Sequence, residues 1–457
     1  MMKEDTISAI STAVGEAGIG IVRMSGENAI DIADKIFKSS NGKKLAETKD
    51  RMIAFGHIVD LNSNIVDEAL VSIMRSPKSY TRENVVELQC HGNAVILQKV
   101  LMLTIEAGAR LAERGEFTKR AFLNGRLDLS QAQAVLDIIQ AKTDKALKAA
   151  EDKLSGKISN DIYELKQQIL KIIAHIEAVI NFPEDDIDAV ELKEISFDID
   201  TAIDSVRKMI KNEVEGQILR EGIETAIIGK PNVGKSSLLN FLSKSEKAIV
   251  TDIPGTTRDA IEEYINIEGI PLKIIDTAGI HNSNNKIEQI GIEKSKLYAD
   301  KAALILVLFD VSREIDAEDE KILNFVKGKN IIALMTKADL PVIGNINLLK
   351  SYLDSEEILS ISVKNGMGID ELRKCIIKKI SNITTELNFV KGARELEILK
   401  RIENHILESK NTLNLNLGID LISIDLCSAL EALNELTGES INEDIINEIF
   451  TKFCVGK

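Results

Sequence analysis

The residues Gly229-Lys230-Pro231-Asn232-Val233-Gly234-Lys235-Ser236 fit the pattern G-x-x-x-x-G-K-[ST]. Glycines at this spacing let backbone N–H groups turn inward around a β-phosphate. The lysine supplies a point charge to the β/γ oxygens, and the serine hydroxyl suits Mg²⁺. A Gly/Lys-rich turn is the bland alternative. Context argues against it: Thr225–Ile228 reads as the strand such a loop follows, and Leu238–Leu242 as the helix it opens. Further along, Asp276-Thr277-Ala278-Gly279 is D-x-x-G directly after a strand pattern. Asp276 is placed for a Mg²⁺ shell and the Gly279 N–H for a γ-phosphate.

The base has its own candidates. Thr336-Lys337-Ala338-Asp339 has the form of a guanine-reading N-K-x-D loop, and Ser362-Val363-Lys364 that of the S-A-K loop supporting the base. An ionised Asp339 only accepts, which suits the N1–H and N2–H₂ edge of guanine. Thr336 stands where such loops usually carry Asn. Its shorter side chain is expected to fall short of N7 and of a bridge to the phosphate loop, so discrimination rests on Asp339. After D-x-x-G, Ras-like enzymes place a water-orienting Gln. Here that position is Ile280, which cannot polarise water. Glu288 lies nearby in the polar stretch His281 to Gln289, and from spacing alone a solvated surface acid is the better reading.

These elements need a scaffold. In 457 residues, 57 Lys+Arg against 72 Asp+Glu leave a net charge of −15. With 44% apolar and 28% charged residues the chain is globular, and its length suits several domains. The acidic balance argues against a dedicated nucleic-acid coat but leaves room for a local basic patch. Cys90, Cys375, Cys427 and Cys454 match no zinc spacing and make no disulfide framework. The apolar run Ala302–Phe309 is far short of the ~20 residues a membrane span needs. Met1-Met2-Lys3-Glu4-Asp5 leads into no apolar segment, so neither signal peptide nor membrane anchor is expected, and the cytosol is the default compartment.

Three textures follow one another. Residues 1–124 mix strand patterns (Gly18–Gly26, Ala69–Met74, Val85–Gln89) with helical ones (Ala29–Phe37, Val95–Ala107), which predicts an α+β domain. Residues 125–220 read as helical, with a Ser130/Gln133 capping box, a helix over Lys153–Ile180, a break at Asn181-Phe182-Pro183 and a further helix over Val190–Glu213. Residues 221–382 alternate strands (Ala226–Ile228, Lys273–Ile275, Ala303–Phe309, Ile331–Met335, Ile358–Ile361) with helices, the α/β signature. Residues 383–457 return to helix: Lys391–Leu413, Leu421–Leu436 with a Gly438 C-cap, and Ile441–Phe453 after a Ser440/Glu443 capping box. Helical texture on both sides of the α/β unit predicts an inserted domain.

Thr251-Asp252-Ile253-Pro254-Gly255-Thr256-Thr257-Arg258-Asp259, followed by Asp276–Gly279, resembles the TrmE-Era-Era-like-Septin class of GTPases. The C-terminal Phe453-Cys454-Val455-Gly456-Lys457 is similar to the Cys-x-Gly-Lys ending of one family in it, MnmE/TrmE. Ser79–Leu88 and Gly115–Leu129 are similar to further signatures of that family. The resemblance covers the whole chain. It implies an N-terminal tetrahydrofolate-binding α+β domain, an all-α domain formed from two chain segments, and an inserted Ras-like P-loop GTPase domain. It implies GTP hydrolysis dependent on K⁺ and on pairing of G domains, a homodimer, and a heterotetramer with two subunits of the FAD-carrying MnmG. It also implies modification at C5 of uridine 34 of certain tRNAs, using 5-formyl- or 5,10-methylene-tetrahydrofolate.

By position, Ser237 joins Asn232–Ser236, Thr251–Thr257, Asp276–Gly279, Thr336, Lys337, Asp339 and Ser362–Lys364 as nucleotide contacts. The resemblance assigns K⁺ to Asn232, Thr251, Ile253 and Thr256, Mg²⁺ to Ser236 and Thr257, and water positioning to Glu288. It assigns folate to Arg23, Glu87, Arg126 and Lys457, and a role in the modification step to Cys454. Arg126 stands where many relatives carry Lys. Lys457 would have to reach across from the helical segment, from its own chain or a partner's. Cys90-His91 has the look of a nucleophile or metal pair, but no third ligand is near in sequence. Two other readings stay open: a ribosome-assembly GTPase of the Era or Der type, for which no KH-type clamp or second G domain is visible, and a non-hydrolysing GTP-dependent scaffold, for which Ile280 is the argument.

Overall fold

The computed structural model describes residues 5–181, 189–245, 263–275, 300–344, 346–353, 358–385, 394–415, 417–440 and 443–457. The first sheet is built from β1 (Ile7–Ile10), β2 (Ala17–Ser25), β3 (Phe37–Ser39), β4 (Ile53–Val59), β5 (Ile65–Met74), β6 (Val85–Gly92) and β7 (Arg110–Leu111), in the order β3-β4-β5-β6-β2-β1-β7. Period-two alternation sorts its faces. Val22, Met24, Val71, Ile73, Val86 and Leu88 are buried against α1 (Ala29–Ile36) and α2 (Ala94–Glu106). The opposite face places Ile53, Ser72, Glu87 and Arg23 side by side across four adjacent strands, each the register partner of the next. Strands β1, β3, β4 and β7 are additions to the sequence expectation, and Phe37, expected to end a helix, opens β3.

The helical part begins with α3 (Glu116–Leu123) and α4 (Leu129–Gln140). The capping box of α4 is Asp128/Gln131, not Ser130/Gln133: Asp128 Oδ1 accepts from the Gln131 N–H at 2.8 Å and Gln131 Oε1 accepts from the Asp128 N–H at 3.0 Å. Leu129, fully buried, already belongs to the helix, so Ser130 is an interior residue. The expected helix over Lys153–Ile180 is two, α5 (Asp144–Leu154) and α6 (Lys157–Asn181), parted at Gly156 with φ 87°. The next helix, α7 (Ala189–Glu221), outruns the expected Val190–Glu213 because Val214 and Ile218 extend its buried stripe.

Helix α7 feeds β8 (Ile223–Gly229), which opens a second sheet with α8 (Lys235–Ser245), β9 (Glu263–Ile267), β10 (Ile270–Ile275), β11 (Leu304–Asp310), β12 (Ile331–Thr336) and β13 (Ile358–Ser360). Its order is β13-β12-β11-β8-β10-β9, parallel except for β9, which the sequence reading missed. Helices α9 (Ala317–Val326), α10 (Ile346–Tyr352) and α11 (Ile369–Thr385) accompany it. The chain returns to helix in α12 (Arg394–Asn414), α13 (Ile419–Thr437) and α14 (Glu443–Thr451). Gly438 caps α13 in the left-handed region, as expected, with its N–H donated to Asn434 O at 3.1 Å. The Ser440/Glu443 box spans residues 441–442, outside the described residues.

One apolar cluster runs from Ile169, Ile203 and Ile402 of the helices through Ile218 and Ile223 to Leu272 and Leu306 of the second sheet. Beside it the two chain crossings between helices and sheet are tied by buried charge. Lys153 Nζ lies 2.9 Å from Glu395 Oε1, Arg220 lies 2.7 Å from Glu213, and Asp137 lies between the two cations. Burial works against the Glu395 carboxylate, but Lys153 and Arg220 hold its pKa below the ordinary value. Among the described residues no helix is long and apolar enough to cross a membrane.

Candidate functional site

Strand β8 ends at Gly229 (φ 153°), and the turn to α8 uses left-handed backbone at Asn232 (φ 61°) and Gly234 (φ 104°). A Cβ on Gly229 would lie 2.6 Å from Leu308 O, so the loop can leave the sheet here only with glycine. Lys235, the first residue of α8, folds its ammonium back onto the loop and donates to Gly229 O at 2.5 Å and Lys230 O at 2.8 Å. Burial, then the positive charge of Arg313, lowers its pKa to about 8. Arg313 escaped the sequence reading, because only the sheet brings the segment after β11 beside the turn after β8. Lys230 is held away from the phosphate side by Asp316 and Asp319, at 2.5 and 2.7 Å.

Thr336 does what its length was expected to forbid. Its hydroxyl lies 2.6 Å from Val233 O and 3.1 Å from Phe309 O, which joins the end of β12 to the phosphate loop. The reach is short because β8, β11 and β12 are consecutive in the sheet and the loop bends back over them. Lys337, with φ 59°, pairs with Asp310 at 2.6 Å. Burial works against the Asp310 carboxylate, but Lys337 and Ser312 hold its pKa below the ordinary value. Ser362 donates to Asp339 Oδ1 at 2.7 Å and lowers the pKa of this exposed carboxyl. The Ala338 N–H donates to Ile361 O at 3.1 Å, so both loops at the ends of β12 and β13 are fixed together. The structure thus brings together Asn232, Val233, Gly234, Lys235, Ser236, Ser237, Thr336, Lys337, Asp339, Ser362, Val363 and Lys364 at one end of the sheet. Thr251–Thr257, Asp276–Gly279 and Glu288 lie outside the described residues.

A second constellation sits on the open face of the first sheet. Arg23 directs Nε and one terminal nitrogen to the same oxygen, Glu87 Oε1, each at 2.8 Å. Glu87 Oε2 has no hydrogen-bond partner among the described residues. The chain's last residues reach this pair within one subunit. Phe450 and Phe453 pack with Ala132 and against Phe122, Gly115 N–H donates to Cys454 O at 3.3 Å, and Arg23 and Ser11 both donate to Gly456 O, at 3.4 and 3.1 Å. A Cβ on Gly456 would lie 2.3 Å from Ile10 O, and Gly456 has φ 95°, so the crossing requires glycine. Lys457 follows Gly456 directly, and burial, then the positive charge of Arg23, lowers its pKa.

Arg126 stacks over the Tyr80 ring at 4.8 Å and donates to Ser79 O at 3.3 Å. The Tyr80 and Thr118 hydroxyls share a hydrogen bond of 2.9 Å, and burial raises the Tyr80 pKa. Tyr80, Ser72 and Arg126 line a cleft of about 740 Å³. Tyr80 and Ser72 were missed as site residues. The Ser79–Leu88 signature marked the segment but not which side chain faces the cleft. Cys454 is exposed, with its backbone pinned at Gly115. Cys90 and His91 point to opposite faces of β6. Burial, then Asp67, pushes the Cys90 thiol up to about 12, and His91 Nδ1 lies 2.7 Å from Asp67 on the exposed side. No acid, Cys or His cluster suited to a metal occurs among the described residues.

The profile described as GTP-binding protein TrmE N-terminus matches residues 6–126, and the one described as MnmE helical domain matches residues 129–454. A tRNA modification GTPase MnmE of Thermoanaerobacter pseudethanolicus is 48% identical over 457 residues, 99% of each chain. Proteins of the same name from Geobacillus thermodenitrificans and Alkaliphilus oremlandii are 44% and 42% identical, each over the whole of both chains. Among solved structures, the FeoB G domain of Methanococcus jannaschii aligns over 35% of this chain and 98% of its own, at 25% identity and a TM-score of 0.24. Era of Aquifex aeolicus aligns over 40% of this chain and 66% of its own, at 28% identity and a TM-score of 0.26. With full-length identity of this order across both profiles, the chain belongs to the MnmE family of tRNA modification GTPases.

Proposed function

We propose that this GTP hydrolase acts at C5 of the wobble uridine of certain tRNAs, with an MnmG-type flavoprotein as partner and a tetrahydrofolate as one-carbon donor. The observation that carries the reading is the joint presence of two separate sites, a phosphate loop bonded to a base loop and an Arg23–Glu87 pair reached by the chain's own C-terminal residues. The Oε2 atom of Glu87, free of protein donors among the described residues, suits the amino-pyrimidine edge of a pterin. Arg126 and Lys457 suit the anionic tail. Cys454 is near enough in sequence to Lys457 to serve the modification step.

In the nucleotide site, Lys235 moves its ammonium from the loop carbonyls to the β/γ oxygens, while Asp339 accepts from the guanine edge and Ser362 keeps its carboxylate oriented. Ser236 and Thr257 would hold Mg²⁺. Asn232, with Thr251, Ile253 and Thr256, would hold K⁺, which supplies positive charge where an arginine finger does elsewhere. Glu288 would orient the attacking water in place of the residue at 280. A homodimer through the first sheet is supported by exposed Phe55 and Leu70, register partners on its open face. The test is mass spectrometry of wobble uridine in tRNA from cells lacking the gene, complemented by wild type or by Lys235→Ala. Loss of the modified nucleoside, restored by wild type alone, is expected; unchanged nucleosides would refute the reading.

A further inference from the structure

The cleft beside Tyr80 carries more positive charge than an isolated carboxylate requires. Its rim includes Arg51, Lys78, Arg82 and Arg126. In a protein with 72 acids against 57 Lys and Arg, several arginines elsewhere sit against carboxylates: Arg23 on Glu87, Arg110 and Arg120 on Glu116, Arg207 on Glu403. Here Lys78, Arg82 and Arg126 are in no ion pair among the described residues, and Arg51 comes no nearer to an acid than 4.0 Å, at Asp50. The guanidiniums are anchored by backbone carbonyls instead: Arg51 to Lys78 O at 3.1 Å, Arg82 to Asn124 O at 3.0 Å, and Arg126 to Ser79 O at 3.3 Å. Arg51 and Arg82 also both hold left-handed backbone, at φ 59°, a conformation that non-glycine residues adopt at a cost and that concentrates at functional sites.

The cleft continues the row on the sheet. Ser72 and Ile53, which line it, are the successive register neighbours of Glu87. At ~4.8 Å per strand, the track from Glu87 to the Arg51 side spans roughly 10 Å. Its volume, about 740 Å³, lies within the range of small-molecule sites.

We propose that this cleft is a subsite for the γ-glutamyl tail of a polyglutamylated folate, with successive α-carboxylates meeting Arg126, Arg82, Lys78 and Arg51. The proposal rests on the folate reading of Arg23 and Glu87 and adds the ligand class: polyglutamates in preference to monoglutamates. Each added residue brings one carboxylate to a cleft whose lining holds four cationic residues and no acidic one.

The experiment is titration of the full-length protein with 5-formyltetrahydrofolate as monoglutamate and as pentaglutamate, at low and moderate salt. The pentaglutamate is expected to bind about tenfold tighter at low salt, with the advantage shrinking as salt screens the exposed charges. Arg51→Gln/Lys78→Gln should remove most of the advantage. Lys78→Gln alone, which breaks no side-chain bond to the protein, should remove part of it without disturbing the fold. Lys38→Gln, on β3, should keep it. Equal binding of the two ligands by wild type overturns the proposal alone and leaves the folate reading of Arg23 and Glu87 standing. Binding of neither ligand overturns the folate reading as well.

Discussion

Thr336 Oγ1 and Val233 O, 103 positions apart in sequence, lie 2.6 Å from each other in the interior. Thr336→Val keeps the shape and leaves the Val233 carbonyl without its donor. A buried carbonyl stripped of its partner costs ~1–3 kcal/mol. Reduced thermal stability and weaker binding of both GTP and GDP are expected, with little change in single-turnover hydrolysis at saturation. Calorimetry and nucleotide titration check both parts.

The Lys235 pKa, lowered to about 8 against 10.5, predicts proton-linked nucleotide binding. Without nucleotide, the folded chain holds fewer protons than the unfolded chain between about pH 8 and 10.5, so this group adds stability as pH rises through that window. Phosphate favours the ammonium and reverses the shift. GTP affinity should therefore fall as pH rises above about 8, with proton uptake visible as a dependence of the binding heat on buffer. Arg313→Gln should move the onset of this fall to higher pH.

Glu87→Ala removes a proposed pterin acceptor and also leaves Arg23 without its anion. Affinity for 5-formyltetrahydrofolate should drop by at least about tenfold, as for loss of a charged hydrogen bond. Glu87→Gln should also bind weakly, because its amide keeps one acceptor but loses the charge. Retained affinity in both variants would remove Glu87 from the site.

Glu288 and Asp339 should separate chemistry from binding. Loss of a water-orienting group typically costs ~10²–10⁴-fold in rate. Glu288→Ala should lower kcat by that order with GTP affinity nearly intact, whereas Asp339→Asn should weaken guanine binding and spare the bound-state rate. A Glu288→Ala single-turnover rate within about threefold of wild type, well inside that range, would make Glu288 a spectator.

Hydrolysis should be fast in K⁺ and slow in Na⁺ at equal ionic strength. Ile280 offers no polar group, so charge on the transition state must be met from outside the side chains at that position. Steady-state rates in the two salts decide it, and equal rates would refute the K⁺ role.

Local patterns carried furthest in the sequence. The phosphate loop is contiguous, so its spacing alone placed Lys235 at the head of a helix. Buried parallel strands such as Leu304–Asp310 and Ile331–Thr336 stood out as apolar runs within a residue of their bounds. Strand β9, Glu263–Ile267, alternates Tyr264 and Asn266 with buried Ile265 and Ile267, and being short and at the edge it left too weak a signal. The Ser130/Gln133 box failed because Asp128/Gln131 offers the same chemistry two residues earlier, and burial of Leu129 chose between them. Arg313 and Tyr80 were illegible for another reason: each matters through a neighbour far along the chain, Lys235 for one and Arg126 for the other.

The bonds from Ser11 and Arg23 to Gly456 O span 445 and 433 positions. A ribosome adds ~5–20 residues per second, so the first sheet, complete at Leu111, can form roughly 17–70 s before Gly456 is made. During that interval the nascent domain has its strands but not the wall supplied by the last residues. A cofactor that depends on this wall cannot assist the domain's folding during that interval, and its stabilising effect begins once Gly456 has reached the sheet.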